Sequence, residues 1–154
     1  MWKTPLWAQA LEPLMNELLP RPVANADSQE YWAGAREGRL MLRRCKSCGK
    51  LHFMPRFLCP FCWSEDLQWV QASGQGEVHS FTIVRRASSP VFAGRVPYVV
   101  ALIDLAEGPR MMANILGPDA LQVQIGDPVR LIFEERGEGD RIPQFERVSG
   151  RASA

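Results

Sequence analysis

Histidine is scarce in this sequence: His52 and His79 are the only two. No ordering of serine, histidine and aspartate gathers a catalytic set around either, so acid–base or nucleophilic chemistry has little to work with. Lysine is scarce as well, three against fifteen arginines, and acids nearly balance bases at a formal net charge of +1. The overall field therefore gives no reason to expect a nucleic-acid binder. A phosphate-cradling glycine loop is missing, since Gly74-Gln75-Gly76 lacks the lysine and the following helix. The most apolar run, Val96 to Ala106, carries Asp104 and is far too short to cross a bilayer. The opening Met1-Trp2-Lys3-Thr4-Pro5 lacks a basic region, a long apolar run and a cleavage site, so a cytoplasmic location is expected.

What is present is ordinary globular composition, 46% hydrophobic and 23% charged over 154 residues. That length suits one domain, or one domain plus a small metal-stapled module. Cysteine is confined to one stretch, as two Cys-x-x-Cys pairs: Cys45 with Cys48, and Cys59 with Cys62. Two such pairs supply the closed four-sulfur shell that zinc favours. The ten residues 49 to 58 between them allow a short hairpin that returns the second pair to the first. Gly49 follows the first pair, where a glycine admits the turn without a Cβ clash. Two other readings exist: a pair of disulfides, which needs an oxidising compartment, and a redox dithiol, which normally uses one such pair beside a βαβ unit. A four-sulfur shell leaves no open position for water or substrate, so the metal is expected to be structural. His52 is close to the cysteines and is read as a surface or packing residue, because four thiolates already fill the shell.

Basic residues crowd this same stretch. Arg36, Arg39, Arg43, Arg44, Lys46, Lys50 and Arg56 face a lone Glu37, while the acids collect after Asp104. One reading is compensation of a metal–thiolate centre of net negative charge. The other is a phosphate-binding surface, since arginine pairs well with phosphate.

Along the chain, residues 1 to 27 form a proline-punctuated arm. Trp7, Leu11, Leu14, Met15 and Leu18 predict an amphipathic helix from Thr4 or Pro5 to Leu19, kinked at Pro13, that docks on the protein's own core or on a partner. Asp27 or Ser28 caps a second helix, Gln29 to about Glu37, which Gly38 stops. Leu40 to Arg43 reads as a strand into Cys45, Leu51, Phe53, Phe57 and Leu58 as the packing of the metal hairpin, and Leu67, Trp69 and Val70 as a closing strand. From Ser73-Gly74-Gln75-Gly76, read as a hinge, the pattern is all β. Strands are expected over 78–86, 98–105, 110–116, 129–135 and 142–148, with a helical turn through Leu121. Five strands with a helical turn between the third and fourth is the order of a Greek-key OB barrel. Pro143 points to an edge position for the last strand. Residues 151–154 are expected to be disordered, giving an arm (1–38), a metal module (39–72) and a barrel (73–150).

The ordered series YWAGAREGRL, RCKSCGKLHFMPRFLCPFC, GQGEVHSFTIVRR, VPYVVALIDLAEGPRMMANI and IGDPVRLIFE resembles the DUF35 family over about Arg21 to Val148. The resemblance implies a mainly β chain with N-terminal helices, a rubredoxin-like zinc ribbon and a five-stranded OB-fold barrel. It also implies a non-catalytic accessory or scaffold subunit. Such a subunit binds acyl-CoA and acts with a thiolase-like enzyme (thiolase or aldolase) or a MaoC-type hydratase in acyl-CoA, lipid or steroid metabolism. One departure is Trp63, where the family often has glycine. On this reading Arg85 and Arg86, with the ribbon residues Arg43, Arg44 and Arg56, are candidate phosphate partners. Tyr31, Trp32, Phe81 and Phe92 are candidates to cover the adenine or acyl chain. Against these stand a solvated strand end for Arg85 and Arg86, and plain core for the aromatics. The alternative is a nucleic-acid-binding ribbon and OB barrel, which the near-zero net charge and acidic C-terminal half disfavour.

Overall fold

The computed structural model describes residues 19–148. The amphipathic helix expected from Thr4 or Pro5 and the tail expected after Gly150 lie outside them. The first element is α1, Gln29–Arg36. Its N-cap is Ser28, but the side chain does not cap the helix: Ser28 Oγ donates to Asn25 Oδ1 at 2.7 Å and accepts from Asn25 N at 3.0 Å. The helix is secured by packing instead, with Tyr31, Gly34 and Ala35 buried. A Cβ on Gly34 would meet Met41 Cγ at 2.5 Å, so glycine is what lets α1 lie this close to the next strand.

Three antiparallel strands form a small sheet in the order β2-β1-β3: β1 Met41–Cys45, β2 Leu51–His52 and β3 Leu67–Gln71. Leu40 and Leu42 are buried, as their alternation predicts, and Leu51 and Phe53 pack against the core. Phe57 differs from expectation: it is 59% exposed, because the hairpin is held by its cysteines and needs little core of its own.

The rest closes into a barrel ordered β4-β5-β6-β8-β7, with β4 Gln75–Val84, β5 Tyr98–Leu105, β6 Arg110–Leu116, β7 Pro128–Glu135 and β8 Arg141–Arg147. This is the five-stranded OB arrangement, including a short helical turn, Ala120–Gln122, between β6 and β7. The first barrel strand starts three residues earlier than the sequence suggests. Gln75 and Gly76 are not hinge residues; they close the barrel by pairing with Arg130 and Val129. The strand also ends earlier, at Val84, leaving Arg85 and Arg86 beyond it.

Closure also corrects the edge reading of Pro143. The strand β8 pairs with β7 along its whole length but with β6 only at Ile115↔Phe145 and Leu116↔Glu146. Pro143 pairs with Phe133 of β7 and stands where β8 has left β6, so the barrel wall is split on that side. Phe145, fully buried, sits at the join among Val78, Val99, Ile103, Ile115 and Val129. The same apolar cluster runs on through Ala72, Leu42, Leu40 and Tyr31, so ribbon, helix and barrel share one core. Burying each large apolar side chain contributes about 1.5–3 kcal/mol. Asp140 then ties the chain entry to the barrel, taking Arg21 Nε at 2.7 Å and Arg36 Nε at 2.9 Å. Those two guanidiniums hold its carboxyl below the ordinary range.

Candidate functional site

The two cysteine turns are built alike. Gly49 N donates to Cys45 O at 2.8 Å and Trp63 N to Cys59 O at 3.0 Å. Gly49 has φ +75° and Trp63 φ +63°, so the tryptophan adopts the left-handed backbone that glycine takes readily. The four Sγ atoms lie within 4.8 Å of one another, with Cys45–Cys62 at 3.5 Å and Cys48–Cys59 at 3.7 Å. A tetrahedron of sulfurs about 2.3 Å from a zinc ion has edges of roughly 3.8 Å, so the donor set fits that ion. The electrostatics agree. Backbone N–H of Cys48 is the main cause that lowers the Cys45 thiol to about 6. At Cys62 the backbone N–H of Ser64 favours the thiolate, but burial and the three neighbouring sulfurs outweigh it and push the thiol up to about 12. Four thiolates share this space only around a cation. His52 is not a fifth donor: it is buried, and Nδ1 meets Met54 O at 2.9 Å.

Where β8 parts from β6, a cavity of about 580 Å³ opens between the barrel, α1 and the ribbon loop. Cavities of this size are typical of small-molecule sites. Val100, Met111, Ala113, Ile142 and Pro143 line its barrel side. Tyr31, Trp32, Phe53 and Met54 line the helix and ribbon side, with Phe92 and Tyr98 also contributing. The aromatics brace one another edge-on: Tyr31 lies 4.9 Å from Trp32 and 5.9 Å from Phe53 between ring centroids. Burial pushes the Tyr31 phenol above its ordinary value, which keeps it neutral.

Glu134 gathers the polar part of the lining. Its Oε1 takes Arg95 at 2.6 Å and Arg136 at 3.1 Å, and its Oε2 accepts from Gln144 Nε2 at 3.0 Å. Burial alone would raise this carboxyl; Gln144, Arg95 and Arg136 more than offset it, so its pKa is lowered. Gln144 Oε1 accepts from Asn114 N at 2.7 Å, satisfying the β6 backbone where its strand partner is lost. None of Arg95, Asn114, Glu134, Arg136 or Gln144 was singled out from the sequence. The one signal was Pro143, which marks the incompletely paired strand beside them.

The structure brings Tyr31, Trp32 and Phe92 together at the cavity and leaves the other candidates elsewhere. Phe81 is on β4, partly exposed and away from it. Arg85 and Arg86 line a shallow groove with residues 87–90, separated from the cavity by the turn Pro90–Arg95. The Arg43 guanidinium stacks 4.4 Å over the Trp69 ring, and its Nε is buried without a partner among the described residues. Arg44 and Arg56 are exposed. His79 lies in an exposed trio with Asp104 and Arg110. No helix among the described residues is long and apolar enough to cross a membrane.

Comparison with known proteins matches residues 32–68 to a family described as ChsH2, rubredoxin-like zinc ribbon domain, and residues 69–134 to ChsH2, C-terminal OB-fold domain. A DUF35 domain-containing scaffold protein of Methanothermobacter thermautotrophicus is 34% identical over 63% of this chain and 74% of its own length. The chain belongs to the DUF35 family. A solved DUF35 chain, titled Ltp2-ChsH2(DUF35) aldolase, superposes with a TM-score of 0.73 at 35% identity, covering 82% of this chain and 98% of that one. A probable enoyl-CoA hydratase alpha subunit of Thermomonospora curvata is 37% identical over 83% of this DUF35 chain. This chain spans only 40% of that relative's length.

Proposed function

We propose that this chain is a non-catalytic accessory subunit that binds acyl-CoA and serves a thiolase-like enzyme or a MaoC-type hydratase. The observation that carries the proposal is the cavity, an apolar chamber with one fixed polar cluster, roofed by Tyr31, Trp32 and the ribbon loop. Its chemistry suits holding rather than reacting. The carboxylate of Glu134 is tied to two guanidiniums and an amide, which lowers its basicity. Neither histidine lines the cavity. The cysteines Cys45, Cys48, Cys59 and Cys62 would hold a zinc ion whose role is to fix the ribbon, and so to hold Phe53 and Met54 over the cavity. The names of the hydratase and aldolase relatives support an acyl-CoA enzyme as the partner. Exposed ribbon residues Phe57 and Trp63 are available for its contact.

Calorimetric titration with CoA and with butyryl-, hexanoyl- and octanoyl-CoA tests this. Each methylene entering the cavity adds about 0.8 kcal/mol, roughly fourfold in affinity. The purified chain should bind along that series and turn none of it over. An affinity independent of chain length, or turnover by the highly purified chain, would contradict the proposal.

A further inference from the structure

A second hollow, of about 330 Å³, lies across the ribbon loop from the cavity, and Phe53 and Met54 line both. Arg56, Pro60 and Phe61 border it from the ribbon, Pro109 and Arg110 from the β5–β6 turn. His52 also lines it, is 6% exposed, and has a buried Nε2 with no hydrogen-bond partner among the described residues. Its Nδ1 meets the Met54 carbonyl, which can only accept, so Nδ1 carries the proton. With its proton on Nδ1, this tautomer has its lone pair at the unpartnered Nε2. A buried acceptor left bare is unfavourable, and a ligand that brings an N–H or O–H removes the penalty.

Cations converge on the same hollow. Arg56 is exposed and has no acidic partner among the described residues. Arg110 is braced by Asp104 at 2.6 and 3.2 Å and reaches His79 Nδ1 at 3.0 Å. The Lys50 ammonium does not line the hollow but stands 4.7 Å from the Phe61 ring. Between these charges stand the aromatic rings of Phe53 and Phe61, which suit a planar partner, with Pro60 and Pro109 completing an apolar wall. A bare anion would use the guanidiniums but neither the flat walls nor the lone pair.

We infer that this hollow binds a phosphorylated aminopurine nucleoside, its phosphate on Arg56 and Arg110, its base on the Phe61 side, and one of its N–H or O–H groups on His52 Nε2. The inference rests on the acyl-cavity reading in one respect: a molecule with an acyl group at one end and this nucleotide at the other would cross Met54, the wall the two spaces share. Of the arginines the sequence offers as phosphate partners it keeps Arg56, adds Arg110, and sets Arg85 and Arg86 aside.

The test is calorimetry on the zinc-loaded chain with adenosine 3′,5′-bisphosphate, which has no acyl arm, beside CoA and octanoyl-CoA. Arg56→Ala and Arg110→Ala should each weaken the bisphosphate and CoA about tenfold or more, and leave the octanoyl-CoA to CoA ratio unchanged. The ring nitrogens of His52 should shift in ¹⁵N NMR on saturation with the bisphosphate. The inference is overturned if the bisphosphate fails to bind, if inorganic phosphate competes equally well, or if the loss falls on Arg85→Ala and Arg86→Ala instead. A flat octanoyl-CoA to CoA ratio with the Arg56 effect intact would sink the cavity reading and support this one.

Discussion

Glu134→Gln removes one charge from the most enclosed ion cluster of the barrel. The Glu134 and Arg136 side chains are 12% and 8% exposed, and both guanidiniums bound to Glu134 share Oε1. An amide at that position keeps the volume and one acceptor oxygen but removes the countercharge of Arg136, whose other side-chain partner is the neutral Pro20 carbonyl at 3.1 Å and whose Nε already lacks one. Stranding a buried charge costs about 3–5 kcal/mol. Arg95 is partly exposed and regains water, so the lower end applies, about 3 kcal/mol. For a chain of this length that lowers Tm by roughly 6–12 °C. The pH dependence follows from the sign of the shift. The folded-state pKa of Glu134 is depressed, so its contribution is complete above the unfolded value of about 4.3 and disappears as pH falls through the folded value. Urea unfolding of both proteins at pH 7 and at pH 3 should show a gap that is full at the first and smaller at the second. Glu134→Leu combined with Arg136→Met should recover much of the loss, because an apolar pair strands no charge. A pH 7 difference below about 0.5 kcal/mol, well under the cost of stranding a buried charge, or a gap that ignores pH, would refute the reasoning.

Three further outcomes are expected. Metal analysis should find about one zinc per chain, cobalt replacement should give thiolate-to-cobalt charge-transfer absorption, and Cys45→Ser should lose both; a full-strength Tm without metal would count against a structural role. Trp63→Gly should raise stability by about 0.5–1 kcal/mol. The left-handed backbone costs a tryptophan about 1–2 kcal/mol, and glycine's extra chain freedom takes part of that back. Trp63 is 75% exposed, so little packing is lost, and a drop in Tm would show the indole to be holding the turn. Phe145→Ala should cost about 3–5 kcal/mol in urea unfolding, because the ring fills the join between β6 and β8; a loss below about 1 kcal/mol would mean the core closes over the gap.

The barrel was legible because its signals are local. The apolar segments 98–105 and 110–116, set off by the Glu107-Gly108-Pro109 turn, match β5 and β6 to the residue, and the cysteine spacing identifies four side chains that do converge. Strand ends were less so: Gln75 and Gly76 look like a hinge until a strand some fifty residues later supplies their partner. The cavity was legible only in part. Tyr31, Trp32 and Phe92 are visible as aromatics, but whether an aromatic lines a space or fills a core depends on where β6 and β8 separate. Glu134, Gln144 and Arg136 were invisible for the same reason, since each looks like an ordinary polar strand residue until long-range pairing encloses it. The candidate arginines could not be ranked from the sequence, because charge alone does not tell a guanidinium that stacks on Trp69, as Arg43 does, from one that borders a hollow, as Arg56 does.

A crystal structure of the zinc-loaded chain with octanoyl-CoA is the most direct measurement. The acyl chain should lie between Trp32 and Ala113, with Met54 beneath the linking arm. Electron density for the acyl chain in the groove of Arg85 and Arg86, or free in solvent with the cavity filled by the chain's own residues, would contradict a subunit built to hold an acyl group.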